Sequence, residues 1–341
     1  MAGKNLDVVF YETFPEEEKA LRKYINGSIE AHFTTKSLQE ENTRSLPSKL
    51  ISIRTQSIIP IEWHSQLKGV LTRTSGCDHL LQSNWSNSQD VSLGHLPLYC
   101  SRSVAEHAMM LCLNLLKKFK KQTKNFLNFD RNGITGLDCF GKKLFILGVG
   151  NIGYEIAKIG KSLNMKVFGY DVNRAHEDVE YIDLELGISD ADIIICAMSL
   201  TESNSGLLNY DILSKAKKAP IFINIARGNI SPLDDLQILL DQGILSGLGM
   251  DVFQEETELA NQLKFSGQIQ SEYVKILLIL NERDNVIFTP HNAFNSEESV
   301  QRKAFHTIEQ IDHFLKYGAF KWQIQPKEQV PISNNQLSIP Q

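Results

Sequence analysis

Short apolar runs alternate with amphipathic stretches along this chain. Leu6–Phe10, Ser28–Phe33, Leu50–Arg54 and Gly69–Arg73 read as strands, with Pro15–Ile25 and Trp63–Leu67 as helices between them. That alternation predicts a small parallel sheet. A second set follows: Leu144–Leu147, Lys166–Tyr170, Asp192–Cys196, Ile221–Asn224, Gly247–Val252 and Val286–Thr289. These are short and apolar, as strands buried on both faces should be. Helical spacing separates them, for example over Tyr154–Leu163 and Pro232–Asp241. Val104–Phe119 is apolar on nearly every face, so it is expected to be buried between domains or subunits, with Lys117, Lys118, Lys120 and Lys121 at its C-terminal end. Glu297–Tyr317 reads as a long amphipathic helix able to return to the first set. The polar tail Gln325–Gln341, with three prolines, reads as loosely ordered.

One junction carries specific chemistry. Leu144–Leu147 runs directly into Gly148-Val-Gly150-Asn-Ile-Gly153, then into a helical stretch, then into a strand ending at Asp171, 18 residues past the last glycine. Gly148 permits a tight turn, Gly150 lets backbone amides approach a pyrophosphate, and Gly153 lets the helix pack close to the sheet. The helix N-terminus offers free N–H groups and the positive end of its dipole to phosphates. Asp171 can accept hydrogen bonds from both ribose hydroxyls and would repel a 2′-phosphate. Strand, glycine turn, helix, strand and acid together point to a dinucleotide, NAD, as cofactor.

Composition narrows the class further. At 341 residues, two domains are expected. A net charge of −5 gives no electrostatic reason to expect nucleic acid or an anionic membrane as partner. No apolar run is long enough to suggest a membrane span. The five cysteines are scattered without a C-x-x-C, which argues against a disulfide framework or structural zinc and suits the reducing cytoplasm. No metal site is expected.

Three segments lie at strand C-terminal ends, where open α/β sheets bind ligands: Asn224-Ile-Ala-Arg-Gly228, Gly249-Met-Asp-Val-Phe-Gln-Glu-Glu256 and Thr289-Pro-His-Asn-Ala-Phe294. An arginine, a carboxylate and a histidine suit carbonyl reduction. Arg227 can hold a 2-keto acid carboxylate and polarise the carbonyl. His291 can donate the proton as hydride arrives, and Glu256 can hydrogen-bond and orient the imidazole.

As a set and in this order, G-V-G-N-I-G, N-x-A-R-G, D-V-F-x-x-E and T-P-H resemble the D-2-hydroxyacid dehydrogenase family. Arg227 to Glu256 spans 29 residues and Asp251 to Glu256 five, as in that family. The resemblance implies a Rossmann dinucleotide-binding domain over 104–292. It implies a smaller flavodoxin-like parallel-sheet substrate domain over 1–103 and 293–341. It implies catalytic roles for Arg227, Glu256 and His291, and cofactor contacts at Gly148, Gly150, Asn151, Ile152, Gly153 and Asp171. Further cofactor contacts fall on Met198, Ser199 and Asn204, on Ile225 and Ala226, and on Asp251 at the nicotinamide side. The carboxylate-binding turn falls on Thr74-Ser75-Gly76. Tyr99-Cys-Ser-Arg-Ser-Val-Ala-Glu-His107 and Thr289–Phe294 resemble the D-lactate dehydrogenase branch, which would put Tyr99 and Phe294 in the substrate pocket. The implied function is NADH-dependent reduction of a small 2-keto acid, pyruvate foremost, by a homodimer. The alternatives are a glyoxylate/hydroxypyruvate reductase, a phosphoglycerate dehydrogenase-like enzyme, or, from another class, an NAD-sensing corepressor-like protein.

Two positions and one spacing depart from the family pattern. Ser199 and Thr257 stand where prolines are usual. Glu256 to His291 spans 35 residues, with the extra length in Ser266–Asn281, a segment expected at the cleft rim. His107 is expected to be a packed core residue, and Cys77 and Cys100 small buried side chains.

Overall fold

The computed structural model describes residues 6–324 apart from 26, 28, 44, 82–90 and 266–268. The start of the strand read over Ser28–Phe33, the tail from Gln325 and part of the extra segment therefore lie outside the described residues. The chain divides into two compact units, 1–97 with 304–341, and 98–303. The boundaries expected from sequence lie at 103/104 and 292/293.

In the first unit, strands β1 (Val8–Phe10), β2 (Ala31–Phe33), β3 (Leu50–Ile53), β4 (Gly69–Thr72) and β5 (Ser92–Gly94) form a parallel sheet in the order β2-β1-β3-β4-β5. That is the flavodoxin-like order. The described part of the C-terminal segment packs on the far end of this sheet. A Cβ on Gly94 would overlap the Phe320 ring, and Ile324 N–H donates to the Leu93 carbonyl at 2.8 Å. β5 escaped the sequence reading because three residues, Ser-Leu-Gly, carry too little apolar signal. The helix read over Trp63–Leu67 is instead a 3-10 turn at Ile61–Trp63, entered from Pro60 and ending in a loop closed by Gln66 and Leu67 N–H bonds to the Trp63 carbonyl. So short a segment cannot repay the cost of α-helix nucleation.

A buried ion pair ties this sheet to the helix Pro15–Tyr24. Arg73, leaving β4, donates from Nε to Glu17 Oε1 at 2.9 Å, from Nη1 to Ser52 Oγ at 3.1 Å and from Nη2 to the Tyr11 carbonyl at 2.6 Å. Both charged side chains are fully enclosed.

The second unit holds seven parallel strands rather than the six read from sequence: β6 (Lys143–Leu147), β7 (Lys166–Tyr170), β8 (Glu180–Tyr181), β9 (Ile193–Cys196), β10 (Ile221–Asn224), β11 (Gly247–Met250) and β12 (Val286–Phe288). The additional strand, β8, is a polar two-residue edge and offers no apolar run to detect. The order β12-β11-β10-β9-β6-β7-β8 is that of a Rossmann sheet, with its reversal between β6 and β9. Register aligns the strand ends: Leu147 pairs with Cys196, Cys196 with Asn224, Asn224 with Met250, and Met250 with Phe288. The residues that follow these five therefore emerge along one edge.

The helix expected over Val104–Phe119 runs from Ser101 to Leu116. Lys118 adopts a left-handed conformation (φ 53°) and ends it, and a second helix covers Phe119–Phe126. Leu111 and Leu115 of the first helix press on Gly249 and Gly247 of β11, whereas Met110 faces outward. Lys120 does not cap its own helix. It donates to the carbonyls of Arg283 and Val286 at 2.9 and 3.0 Å, and to that of Asn281.

Removing one partner of the Arg73–Glu17 pair leaves the other charge buried. Glu17→Ala is expected to destabilise the first unit by about 3–5 kcal/mol. Urea denaturation checks this, and an unchanged midpoint would reject the pair as a structural necessity.

Candidate active site

The glycine turn after β6 is built by backbone exclusion. Gly148 sits at φ +88°, and its Cβ position would lie 2.7 Å from the Met198 backbone. A Cβ on Gly153 would overlap the Gly148 carbonyl. Gly150, by contrast, faces open space and precedes the helix Asn151–Ser162 with no side-chain cap. Asn151 and Ile152 thus open a helix whose first N–H groups have no partner within it. This cradle suits a pyrophosphate.

Asp171 stands at the end of β7. Its Oδ2 accepts the Val149 N–H at 2.6 Å and its Oδ1 the Asn173 N–H at 2.8 Å. Each carboxylate oxygen keeps a lone pair for a further donor. Past β9, Met198 is half-buried and Ser199 exposed. Asn204 closes that loop on itself, donating to the Ser199 carbonyl at 2.8 Å and accepting from Thr201 N–H at 2.7 Å.

The turn after β10 is organised by Asn224, to which the sequence reading gave no role. Its buried amide accepts from Ala226 N–H at 2.9 Å and donates to the Arg227 carbonyl at 3.0 Å and Ser231 Oγ at 2.8 Å. Ile225 and Ala226 are buried within this turn. Arg227 remains half-buried, with Nη1 donating to the Ala226 carbonyl at 2.7 Å. Gly228 lies so close to the Phe253–Gln254 backbone that any side chain there would collide with it. The arginine turn is thereby pressed against the segment leading to Glu256. The first letter of N-x-A-R-G was the available signal for Asn224.

Glu256 accepts from Phe253 N–H at 3.0 Å through Oε1, and its Oε2 lies 2.6 Å from His291 Nδ1. A carboxylate only accepts, so Nδ1 carries the proton in this bond. Burial pushes the Glu256 carboxyl up. The His291 hydrogen bond and charge, the Phe253 N–H and the Arg227 charge outweigh it and hold the group below the usual glutamate value. Arg227, Glu256 and His291 are therefore brought together in one unit.

Asp251, fully buried, supports the histidine from beneath. Its Oδ1 accepts from Thr289 Oγ1 at 2.6 Å and Asn292 N–H at 2.9 Å, and its Oδ2 from Ala293 N–H at 2.8 Å. His107 is packed as expected, with Nε2 3.0 Å from Thr289 Oγ1. Burial holds its pKa below the usual histidine value, against the opposing pull of Asp251. Phe294 meets the His291 ring edge to face, centroids 6.3 Å apart. Tyr99 is buried, and its carbonyl accepts from Arg302 Nε at 2.8 Å. Cys100 is a buried thiol pushed up to about 11, chiefly by burial. Cys77 is half-buried.

The extra segment was expected at a rim. Its described part forms the helix Glu272–Asn281, which buries Val274, Leu277 and Leu280. Tyr273 on that helix accepts the Gln254 N–H at 2.8 Å, bracing the approach to Glu256. Burial pushes its hydroxyl up to about 12. Ser75 and Gly76 belong to the other unit, on the turn after β4. There Thr74 Oγ1 donates to the Gly76 carbonyl at 2.6 Å and the Ser75 carbonyl lies 3.0 Å from His95 Nδ1. Among the described residues no group of three His, Cys, Asp or Glu is placed to hold a metal, and no helix is long and apolar enough to cross a membrane.

A profile of the D-isomer specific 2-hydroxyacid dehydrogenase NAD-binding domain matches residues 108–293. The chain belongs to the D-isomer specific 2-hydroxyacid dehydrogenase family. A D-lactate dehydrogenase of Streptococcus pyogenes serotype M1 is 27% identical over 325 residues, which cover 90% of this chain and 96% of that one. One from Streptococcus agalactiae serotype V is 31% identical over 252 residues, 72% of this chain and 75% of the relative. The solved D-lactate dehydrogenase of Aquifex aeolicus, complexed with NAD and lactic acid, superposes with a TM-score of 0.79 at 27% identity, covering 91% of this chain and 96% of that one. This dehydrogenase is an NAD-dependent 2-hydroxyacid oxidoreductase similar to the D-lactate dehydrogenase branch. Its glycine cradle and uncapped helix start fit the dinucleotide.

Gly153→Ala is expected to force the helix off the turn. Overpacking of this kind costs about 1–3 kcal/mol. Thermal unfolding and NADH fluorescence titration should show a lower Tm and at least tenfold weaker NADH binding. Unaltered NADH affinity would show that the close approach at Gly153 is not what shapes the cradle.

Proposed function

We propose that the dehydrogenase reduces a small 2-keto acid, with pyruvate as the leading substrate, to the D-2-hydroxy acid. The observation that carries this reading is the 2.6 Å bond between His291 Nδ1 and Glu256 Oε2. It fixes the ring so that Nε2 is the nitrogen left to act on substrate. Bound NADH supplies the hydride. His291 delivers a proton from Nε2 to the carbonyl oxygen, becoming neutral. Glu256 stabilises the protonated ring and holds its orientation. Arg227 binds the substrate carboxylate and polarises the carbonyl. Ser75 and Gly76 are substrate-binding residues by the family resemblance, and Tyr99 and Phe294 border the substrate side chain. Asp251 acts as a positioning residue beneath the His291 loop. Gly148, Gly150, Asn151, Ile152 and Gly153 hold the pyrophosphate. Asp171 accepts the ribose hydroxyls and disfavours a 2′-phosphate. Met198, Ser199, Asn204, Ile225 and Ala226 line the remainder of the dinucleotide path.

All five cysteines are free thiols, which suits the cytoplasm. Met110, Phe119, Phe126, Leu127, Phe129 and Phe140 are exposed apolar side chains within one stretch of chain, which suits burial in a homodimer.

Steady-state NADH oxidation with pyruvate tests the reaction, and no turnover with any 2-keto acid would overturn it. His291→Ala should lose about 10²–10⁴-fold in kcat while NADH still binds. Glu256→Gln removes the charge that favours the protonated ring, so the alkaline limb of keto-acid reduction should move to lower pH. A limb that stays in place would remove Glu256 from this role. The wild-type Glu256 carboxyl sits below its ordinary value, so its bond to His291 should persist at neutral pH and fail only as pH falls through that lowered value. Light scattering at micromolar concentration should give twice the chain mass, and a mass near 38.5 kDa would reject the dimer.

A further inference from the structure

A line of rings leads from His291 to a buried cation. Phe294 meets His291 edge to face, and the Lys303 ammonium lies 5.4 Å from the centroid of the Phe294 ring. The same ammonium lies 5.7 Å from the centroid of the Tyr99 ring. Lys303 is only 1% exposed. Its position is set by the first turns of the helix Glu297–Tyr317. Ser299 Oγ and Arg302 Nε both donate to the Tyr99 carbonyl, at 3.5 and 2.8 Å. Arg302 also directs Nη2 toward Ser103 Oγ at 3.5 Å. Lys303 is thus the cation set between the two aromatic faces, within the distance at which a ring attracts an ammonium.

A methyl group beside this ammonium gains nothing from its charge, and a phenyl ring gains only a cation–π attraction. A carboxylate gains a charge-assisted hydrogen bond in a water-poor site, where such bonds are strongest. An ammonium has three N–H donors, so Lys303 can hold a substrate carboxylate alongside partners from the protein. We propose that Lys303 makes the side-chain end of the substrate pocket an anion subsite. It selects 2-keto acids bearing a terminal side-chain carboxylate over uncharged keto acids of equal length. This inference rests on the reading of Tyr99 and Phe294 as side-chain walls and of His291 as proton donor. Arg227 then serves the carboxylate next to the carbonyl, and Lys303 the distal one.

Matched substrate pairs test it: oxaloacetate against 2-oxobutyrate, and 2-oxoglutarate against 2-oxopentanoate, each by kcat/KM with NADH. The wild-type enzyme should favour the charged member of at least one pair by about tenfold or more. Lys303→Met should lower that ratio about 10–100-fold, and Lys303→Arg should retain most of it. NADH binding by fluorescence reports whether each variant is folded. A wild-type ratio at or below one for both pairs overturns the proposal without any variant. A ratio unchanged in folded Lys303→Met also overturns it, while activity on pyruvate leaves the underlying chemistry standing. No turnover with any keto acid would instead overturn the reading of His291 and Arg227, and the Lys303 subsite with it.

Discussion

The buried carboxylate of Asp251 is the contact on which the His291 loop depends. His291 adopts a left-handed backbone (φ 49°), which costs a non-glycine residue about 1–2 kcal/mol. Glu255, just before its partner Glu256, is also left-handed (φ 50°). Strain of this kind persists only where surrounding bonds over-determine the conformation. Asp251 supplies that over-determination, accepting from the Thr289 hydroxyl and the Asn292 and Ala293 amides on either side of His291. Hydrogen bonds to a charged acceptor contribute about 1.5–3 kcal/mol each, so three outweigh one strained residue. The imidazole is then aimed by the backbone first and by Glu256 second.

The same economy appears along the whole sheet edge. Strand register brings the residues after Leu147, Cys196, Asn224, Met250 and Phe288 out side by side. Each exit is then shaped by a short-range device. Glycine exclusion shapes the first, an amide that folds its own turn shapes the third, and a carboxylate that reaches the next strand's loop links the fourth to the fifth. Gly148 and Gly228 act through absence, since a side chain at either would strike backbone. Parallel strands buried on both faces provide the rigid floor, and the loops carry the chemistry.

This division explains what could be read from sequence. Apolar runs and the G-x-G-x-x-G spacing are local signals, and they revealed both sheets, the glycine turn and Asp171. The pairing of Glu256 with His291 across 35 residues was reached through motif order, since periodicity carries no information about which loops meet. β8 and β5 escaped because two or three residues cannot show a pattern. The helix end at Leu116 escaped because the lysines that follow look helical, and the left-handed turn at Lys118 has no signature in residue type. Tyr273 escaped because it acts through a backbone bond, which leaves no mark on residue type, and the only mark of Asn224 was its place at the head of N-x-A-R-G. Lys303 sits in a helix read from sequence only as amphipathic, and the fold shows its ammonium beside two rings.

Buried polar groups in this chain are arranged so that proton positions are fixed. Thr289 has a single hydroxyl proton, and its shortest bond, 2.6 Å, donates that proton to Asp251. Toward His107 it can then only accept, so the proton of that 3.0 Å bond sits on His107 Nε2. Burial disfavours the charged form of that ring, against the opposing pull of Asp251. At His291 the logic reverses. Its Nδ1 proton is held by Glu256, and the ring is half-exposed. One histidine is locked so that the loop is rigid. The other is held through Nδ1, which under the proposed mechanism leaves Nε2 to meet the substrate.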